Sequence, residues 1–122
     1  MLGARFDEHP WDITEATVVV EDRTSPMTRH LPASFAVTDE HYQLKDVSRD
    51  KVHVLATLDA SKLDLKAPLV HRQDRDFIAA YTKTYGKGRV FYSTLGHPRE
   101  LWDEPWMQTM YFEALKWAMR VP

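Results

Sequence analysis

The sequence contains no cysteine, and this absence removes several kinds of chemistry at once. Without thiols the chain has no disulfide bonds, no thiolate ligand for a metal and no cysteine nucleophile. It also lacks any run approaching the ~20 apolar residues that a membrane-spanning helix requires. The first residues, MLGARFDEHPW, contain no apolar stretch typical of a signal peptide. The missing apolar runs predict a cytoplasmic protein that does not bind membranes.

The chain has little excess charge of either sign. Its 18 acidic and 16 basic residues leave a formal net charge of −2, which gives no electrostatic reason to expect nucleic-acid binding. No Gly-x-Ser-x-Gly nucleophile elbow is present. With 122 residues, 43% of them hydrophobic, the chain is expected to form a single domain over residues 1–122.

Short strands dominate the first three quarters of the sequence. Each predicted strand is rich in β-branched residues or alternates apolar with other residues. They are TEATVVVED (14–22), a short strand within SFAVTDEHYQL (34–44) that ends on Asp39-Glu40, KVHVLATLD (51–59), and the two arms of a hairpin, 77–84 and 89–95, joined by YGKG. The two glycines of that turn are free to adopt positive φ.

One helix follows the strands. Asp103 precedes Pro105, a typical helix start, and apolar residues then recur at i, i+3, i+4, i+7, i+8 and i+11 from Met107, which predicts a helix over about 103–119. The segment 51–59 is apolar on both faces, so its sheet needs cover on both sides, whereas one helix covers only one. The missing layer would come from a second copy or from a larger domain, and we therefore expect a homo-oligomer, a dimer covering an exposed sheet face.

Four segments of the sequence are informative together: LGARFDEHP (2–10), TDEHYQL (38–44), YGKGRVFYSTLGH (85–97) and LWDEPWMQTMYFEALKWAM (101–119). In this order and spacing they resemble the trehalose-utilisation, or ThuA-like, family. The resemblance covers nearly the whole chain but only the C-terminal half of the family's domain. It implies an α/β fold, a partial flavodoxin-like or class I glutamine amidotransferase-like sheet with a β-hairpin and one C-terminal helix. The nucleophile of that fold would belong to the absent half, so this chain alone would not be an amidotransferase of that type.

His97 is the first candidate functional residue, because the strand RVFYST ends in Leu-Gly-His-Pro. Ligands of open α/β sheets bind beyond the carboxyl ends of strands, and a catalytic histidine of the amidotransferase-like fold occupies a similar strand end. The imidazole would act in acid/base chemistry or bind a metal, or it would merely cap a loop through a backbone hydrogen bond. With the family block VTDEHY, we also predict Glu40 and Tyr42 as catalytic residues, whereas Asp39 would cap the next turn.

The resemblance adds further candidates. His9 lies in a His-Pro block that the family shares, and we predict that it binds substrate; as an isolated residue it would be an ordinary polar loop residue. His9, Glu40 and His97 are also suitable types for a two-histidine, one-carboxylate site for a divalent metal such as zinc. Trp102, with Trp106 beside it, would offer an aromatic face to a sugar, or else pack the start of the helix. Arg89 completes the predicted substrate-binding residues, although it could instead stabilise the hairpin turn.

Two functions follow. The first is a ThuA-like carbohydrate-metabolism protein that acts on a small sugar ligand, a disaccharide or keto-sugar, by acid/base or metal-assisted chemistry. The alternative is a non-catalytic half-domain that self-associates as a structural or interaction module. Convergence of His9, Glu40 and His97 in one pocket would favour the first function.

Overall fold

The structure is a computed structural model that describes residues 1–122. It contains seven strands, two short 3-10 helices and one α-helix. The strands are β1 (Arg5–Glu8), β2 (Ile13–Val20), β3 (Ser34–Glu40), β4 (Gln43–Lys45), β5 (His53–Leu58), β6 (Ile78–Tyr85) and β7 (Gly88–Ser93). The 3-10 helices are Ala60–Lys62 and Arg99–Asp103, and α1 is Pro105–Met119.

Five strands form the main sheet in the order β3-β2-β5-β6-β7, and all neighbouring strands run antiparallel. The predicted hairpin is confirmed: β6 and β7 pair as far as Tyr85 and Gly88, and Gly86 has a φ of 58°. The short strand predicted to end on Asp39-Glu40 is confirmed as β3. After His41 and Tyr42 the chain forms β4, which pairs with β1 in a separate two-stranded sheet.

The predicted C-terminal helix is also confirmed, with proline at its first turn as expected. Residues 99–103, of which only the end was included in the prediction, form the 3-10 helix that precedes it. Met107, Met110 and Ala114 of α1 are buried against the main sheet. The α/β class, with a hairpin and a lone C-terminal helix, is therefore as predicted. No helix of the structure combines the length and the apolar character needed to cross a bilayer.

The small sheet supplies part of the second layer. Val54 and Leu55 are consecutive residues of β5 and therefore point to opposite faces of the sheet. Both are buried, Leu55 in the core under α1 and Val54 in a separate cluster with Leu44 of β4 and Tyr81 of β6. The chain itself thus provides some of the cover that the sequence suggested would come from elsewhere.

A buried histidine at the corner between β3 and β4 makes stability depend on pH. His41 is 1% exposed, its Nε2 lies 3.1 Å from the carbonyl oxygen of Val37, and its Nδ1 has no partner. Burial lowers the pKa of His41, because the charged ring loses its hydration inside the protein. The folded state therefore binds this proton less readily than the unfolded state does.

We expect His41 to destabilise the fold in mild acid. Above the ordinary histidine pKa of about 6.5 the ring is neutral in both states, and the fold keeps its full stability. As the pH falls below that value, the unfolded chain takes up the proton first and stability decreases. Urea unfolding at a series of pH values should show a shallower acid slope for His41→Phe than for wild type. The exposed His30→Phe variant serves as control, and equal slopes for wild type and His41→Phe would contradict this assignment.

Candidate functional site

Three of the predicted site residues meet where β3 and β7 end. The Tyr42 hydroxyl lies 3.4 Å from Nδ1 of His97, and Nε2 of the same ring lies 3.6 Å from Oε2 of Glu40. The imidazole thus stands between a phenol and a carboxylate, one at each ring nitrogen. We call these three side chains the His97 triad.

A buried carboxylate holds the two strand ends together. Asp39 is 0% exposed and accepts hydrogen bonds from the backbone N–H groups of Gly96 at 2.7 Å and His97 at 3.0 Å. It also accepts one from the N–H of Glu40 at 2.8 Å. Adjacent residues of a strand point to opposite faces, so Asp39 faces the protein while Glu40 reaches the imidazole. Asp39 was predicted to cap the next turn, but its carboxylate instead binds a loop 57 residues further along the chain.

Glycine is required beside the imidazole for two reasons. Gly96 has a φ of 117°, which L side chains rarely adopt. A Cβ there would also lie 3.0 Å from the ring of Trp102 and 3.3 Å from Met107. The indole N–H of Trp102 donates to the carbonyl oxygen of Gly96 at 2.9 Å. Trp102 therefore supports the loop that carries His97, and its ring is tilted against Tyr111 with the centroids 4.8 Å apart.

The local electrostatics keep the phenol protonated. Burial, and next the negative charge of Glu40, raise the pKa of Tyr42 above its ordinary value, because both disfavour a phenolate. Phe6 packs edge-on against the Tyr42 ring at 5.0 Å. The site therefore places a hydroxyl donor beside the ring of His97 and the side chain of Glu40, with the imidazole exposed to solvent on one side.

His9 does not join the triad. Its ring stacks on Phe6 with the centroids 6.2 Å apart, and its Nδ1 lies 3.6 Å from Asp12 Oδ1. His9 therefore reaches Tyr42 only through Phe6. No group of three or more histidine, aspartate or glutamate side chains is placed to hold a metal ion. The predicted ligand set of His9, Glu40 and His97 is not brought together, so these residues do not fit a metal and we assign no step to one.

Arg89 lies away from the triad, at the opposite end of β7. It donates to the carbonyl oxygen of Trp117 at 2.9 Å, and its guanidinium lies 5.2 Å from the centre of that indole. This contact stabilises the last turn of α1. The structure thus gives Arg89 a packing role and no contact with the other predicted site residues.

The sequence did not reveal a groove beside the triad. This edge groove has a volume of about 600 Å³ and lies between β3 and the segment that leads into α1. It is lined by Ile13, Ala36, Val37, Thr38, Pro98, Glu100, Leu101, Glu104 and Trp106. Pro98 directly follows His97, and Ile13 is the β2 partner of Glu40. The groove is thus lined by neighbours of the triad residues and not by the triad side chains themselves. The groove exists because β3 lies at the edge of the sheet, and no local sequence pattern predicts the position of a strand in its sheet.

The geometry defines the class of protein. It is an α/β domain with an antiparallel sheet, a lone C-terminal helix and a polar imidazole site where two strands end. Within that class, the family model described as ThuA, trehalose utilisation, matches residues 1–118. The chain belongs to the ThuA family. The resemblance inferred from the four sequence segments is thereby confirmed.

Two solved structures are similar to this chain. A ThuA-like protein from Bacteroides uniformis ATCC 8492 has 25% sequence identity and a TM-score of 0.73, covering 96% of this chain and 48% of its own. A ThuA-like protein from Parabacteroides merdae ATCC 43184 has 21% identity and a TM-score of 0.63, covering 95% of this chain and 40% of its own, and shows the fold alone. The chain thus spans about half the length of these proteins or less. No curated protein matches its sequence.

Proposed function

We propose that this chain carries the acid/base site of a carbohydrate-metabolism protein that acts on a disaccharide or a keto-sugar. The observation that supports this most strongly is the His97 triad, in which one imidazole contacts the Tyr42 hydroxyl and the Glu40 carboxylate. We infer a sugar substrate from the family, whose description is trehalose utilisation.

Each member of the triad has a distinct part in this proposal. His97 takes a proton from carbon or oxygen of the substrate, since a histidine exchanges protons near neutral pH. Glu40 stabilises the imidazolium that results, because its carboxylate lies 3.6 Å from Nε2. Tyr42, kept protonated by its raised pKa, donates a hydrogen bond to a substrate carbonyl oxygen on which negative charge develops.

The proposal is tested by incubating the protein with a keto-disaccharide in deuterated buffer and following the sugar by NMR. Proton exchange beside the carbonyl, or cleavage of the disaccharide, is expected with wild type. If wild type catalyses neither proton exchange nor cleavage, with a keto-disaccharide or with trehalose, the proposed function is overturned.

Tyr42→Phe is expected to slow this reaction by about 10- to 100-fold, because the variant loses one hydrogen-bond donor to the developing oxyanion. The ring and its contact with Phe6 are retained, so the free energy of unfolding should change little. Because the pKa of Tyr42 is raised, wild-type activity should also persist to the ordinary tyrosine pKa of about 10. A Tyr42→Phe variant with the wild-type rate would remove the phenol from the mechanism.

Self-association, predicted to cover an exposed sheet face, remains a prediction, and we propose the exposed face of α1 as its interface instead. The outer face of β2 and β3 carries polar side chains such as Glu15 and Thr38, whereas α1 exposes a stripe of Phe112, Leu115 and Met119, each more than half exposed. These residues are spaced i, i+3 and i+7, so they form one apolar face of α1, which a second copy could cover with its own.

We expect wild type to be a dimer in sedimentation experiments at micromolar concentration. The double variant Phe112→Ser, Leu115→Ser should shift it to monomer, because it removes the apolar stripe while leaving the buried face of α1 intact. Gln108→Ser, on an exposed polar position of the same helix, is the matched control. A monomeric wild type would contradict the prediction.

A further inference from the structure

A pocket at the C-terminal end of α1 is rich in positive charge. Its volume of about 460 Å³ lies within the range of about 300–1,000 Å³ typical of small-molecule sites. The lining includes four basic side chains, Arg29, Arg89, Lys116 and Arg120, and one acidic side chain, Glu113. The chain as a whole has a formal net charge of −2, so this concentration of cations is local. We call this cavity the basic pocket.

The single carboxylate of the basic pocket serves two of its cations. Lys116 Nζ lies 3.3 Å from one carboxylate oxygen of Glu113, and the guanidinium of Arg29 lies 4.0 Å from the other. Four positive side chains against one negative side chain leave an excess of three positive charges. Like charges held close together repel one another, and an anionic ligand would relieve that repulsion.

The other two cations are held by backbone carbonyl oxygens. Arg89 donates to the carbonyl of Trp117 at 2.9 Å, and Arg120 donates to that of Lys87 at 3.0 Å. The carbonyl end of a helix attracts cations in general, but one such bond uses only one of the five N–H donors of a guanidinium. Each side chain is therefore fixed in position and keeps donors for a ligand. Phosphate oxygens match the planar fork of these donors.

The backbone at Arg120 indicates that its side chain is needed. Arg120 is the C-cap residue of α1, with a φ of 60°, and its backbone N–H donates to the carbonyl oxygens of Lys116 and Trp117. Glycine usually occupies a left-handed helix end, because a Cβ disfavours that conformation. Residues held in disfavoured conformations cluster at ligand-binding and catalytic sites. An arginine here supplies a guanidinium to the basic pocket, which glycine could not.

We propose that the basic pocket binds a small ligand through a phosphate or diphosphate group. The guanidinium groups of Arg29, Arg89 and Arg120 would donate to the phosphoryl oxygens, and Lys116 would add a further positive charge. Arg89 lies near one end of β7 and His97 lies beyond the other, and a strand of six residues spans about 20 Å. The basic pocket is therefore a second site, and the proposal does not depend on the proposed acid/base function.

The test titrates the full chain with pyrophosphate by isothermal titration calorimetry. Wild type should bind pyrophosphate more tightly than inorganic phosphate, and binding should weaken as salt is added, because dissolved ions screen the charges. Arg29→Gln and Arg120→Gln should each weaken binding by about 10-fold or more, the loss expected for one charged hydrogen bond. Arg23→Gln makes the same charge change at an exposed position outside the pocket, on the connection between β2 and β3, and should bind as wild type does.

Arg120→Gly separates binding from folding. Glycine suits a φ of 60°, so this variant should keep the wild-type melting temperature or exceed it. Its affinity for pyrophosphate should nevertheless fall as in Arg120→Gln, because both variants lose the guanidinium. Wild-type affinity in Arg120→Gly would overturn the proposal.

Other outcomes would also overturn it. One is an absence of pyrophosphate binding at millimolar concentration, and another is an equal loss in Arg23→Gln and Arg29→Gln, which would show general attraction by charge. Binding to vesicles that contain phosphatidylserine, without binding of pyrophosphate, would assign the cations to a membrane surface instead. His97→Asn should bind pyrophosphate as wild type does, so a failure of the acid/base function is distinguished from a failure of this proposal.

Discussion

His97→Asn is expected to lower the turnover of a keto-sugar by about 10³-fold, which lies within the 10²–10⁴-fold that a positioned general acid or base contributes. Asparagine is polar and similar in size to imidazole, but it cannot accept and release a proton near neutral pH. The backbone N–H of residue 97 still donates to Asp39 in this variant, so the loop should keep its position. The loss should therefore appear in kcat.

Two further variants make this prediction specific. Glu40→Gln keeps the shape of the side chain but removes the charge beside Nε2, so it should cost less activity than His97→Asn and move the pH profile. His53→Asn is the matched histidine control, because His53 pairs with Asp22 at the start of β5, in another part of the molecule. A His97→Asn protein that is folded and retains wild-type kcat would show that the imidazole is not the acid or base.

Asp39→Ala is expected to cause the largest loss of stability of any site variant, about 2–4 kcal/mol. The alanine leaves three backbone N–H groups without their acceptor, and each unsatisfied buried donor costs about 1–3 kcal/mol before water or local rearrangement recovers part of the loss. Because two of the three donors belong to Gly96 and His97, the loop that carries the imidazole should also become mobile. Urea unfolding measures the first effect, and NMR line widths of the His97 ring measure the second.

The conservative change Asp39→Asn should have an intermediate effect. Oδ1 of Asp39 accepts from Glu40 and His97, and Oδ2 accepts from Gly96. The asparagine amide has one acceptor oxygen, which can retain the two bonds from Glu40 and His97. Its NH₂ group then faces the N–H of Gly96, so two donors meet and the third bond is lost. Asp50→Ala, at an exposed carboxylate with no such bonds, is the control. Equal stabilities of Asp39→Ala and this control would show that the buried carboxylate does not hold the strand ends together.

Two kinds of signal predicted the residues that meet in the structure. The end of a strand indicated His97, whereas the family block indicated Glu40 and Tyr42, and the three side chains lie together. Arg89 was also predicted to bind substrate, but it lies at the other end of β7, and because a strand advances about 3.3 Å per residue its two ends serve different surfaces. His9 was included through the family block, and the structure puts Phe6 between it and Tyr42.

Local patterns in the sequence determined the hairpin, the C-terminal helix and the ends of the strands that carry the triad, because each depends on residues only a few positions apart. Tertiary structure alone decided that β3 lies at the sheet edge beside the 98–106 segment, that Asp39 binds the loop at Gly96, and that the small sheet covers Val54. These features depend on the order of strands in the sheet. That order results from the packing of distant segments, which the periodicity of any one segment does not specify.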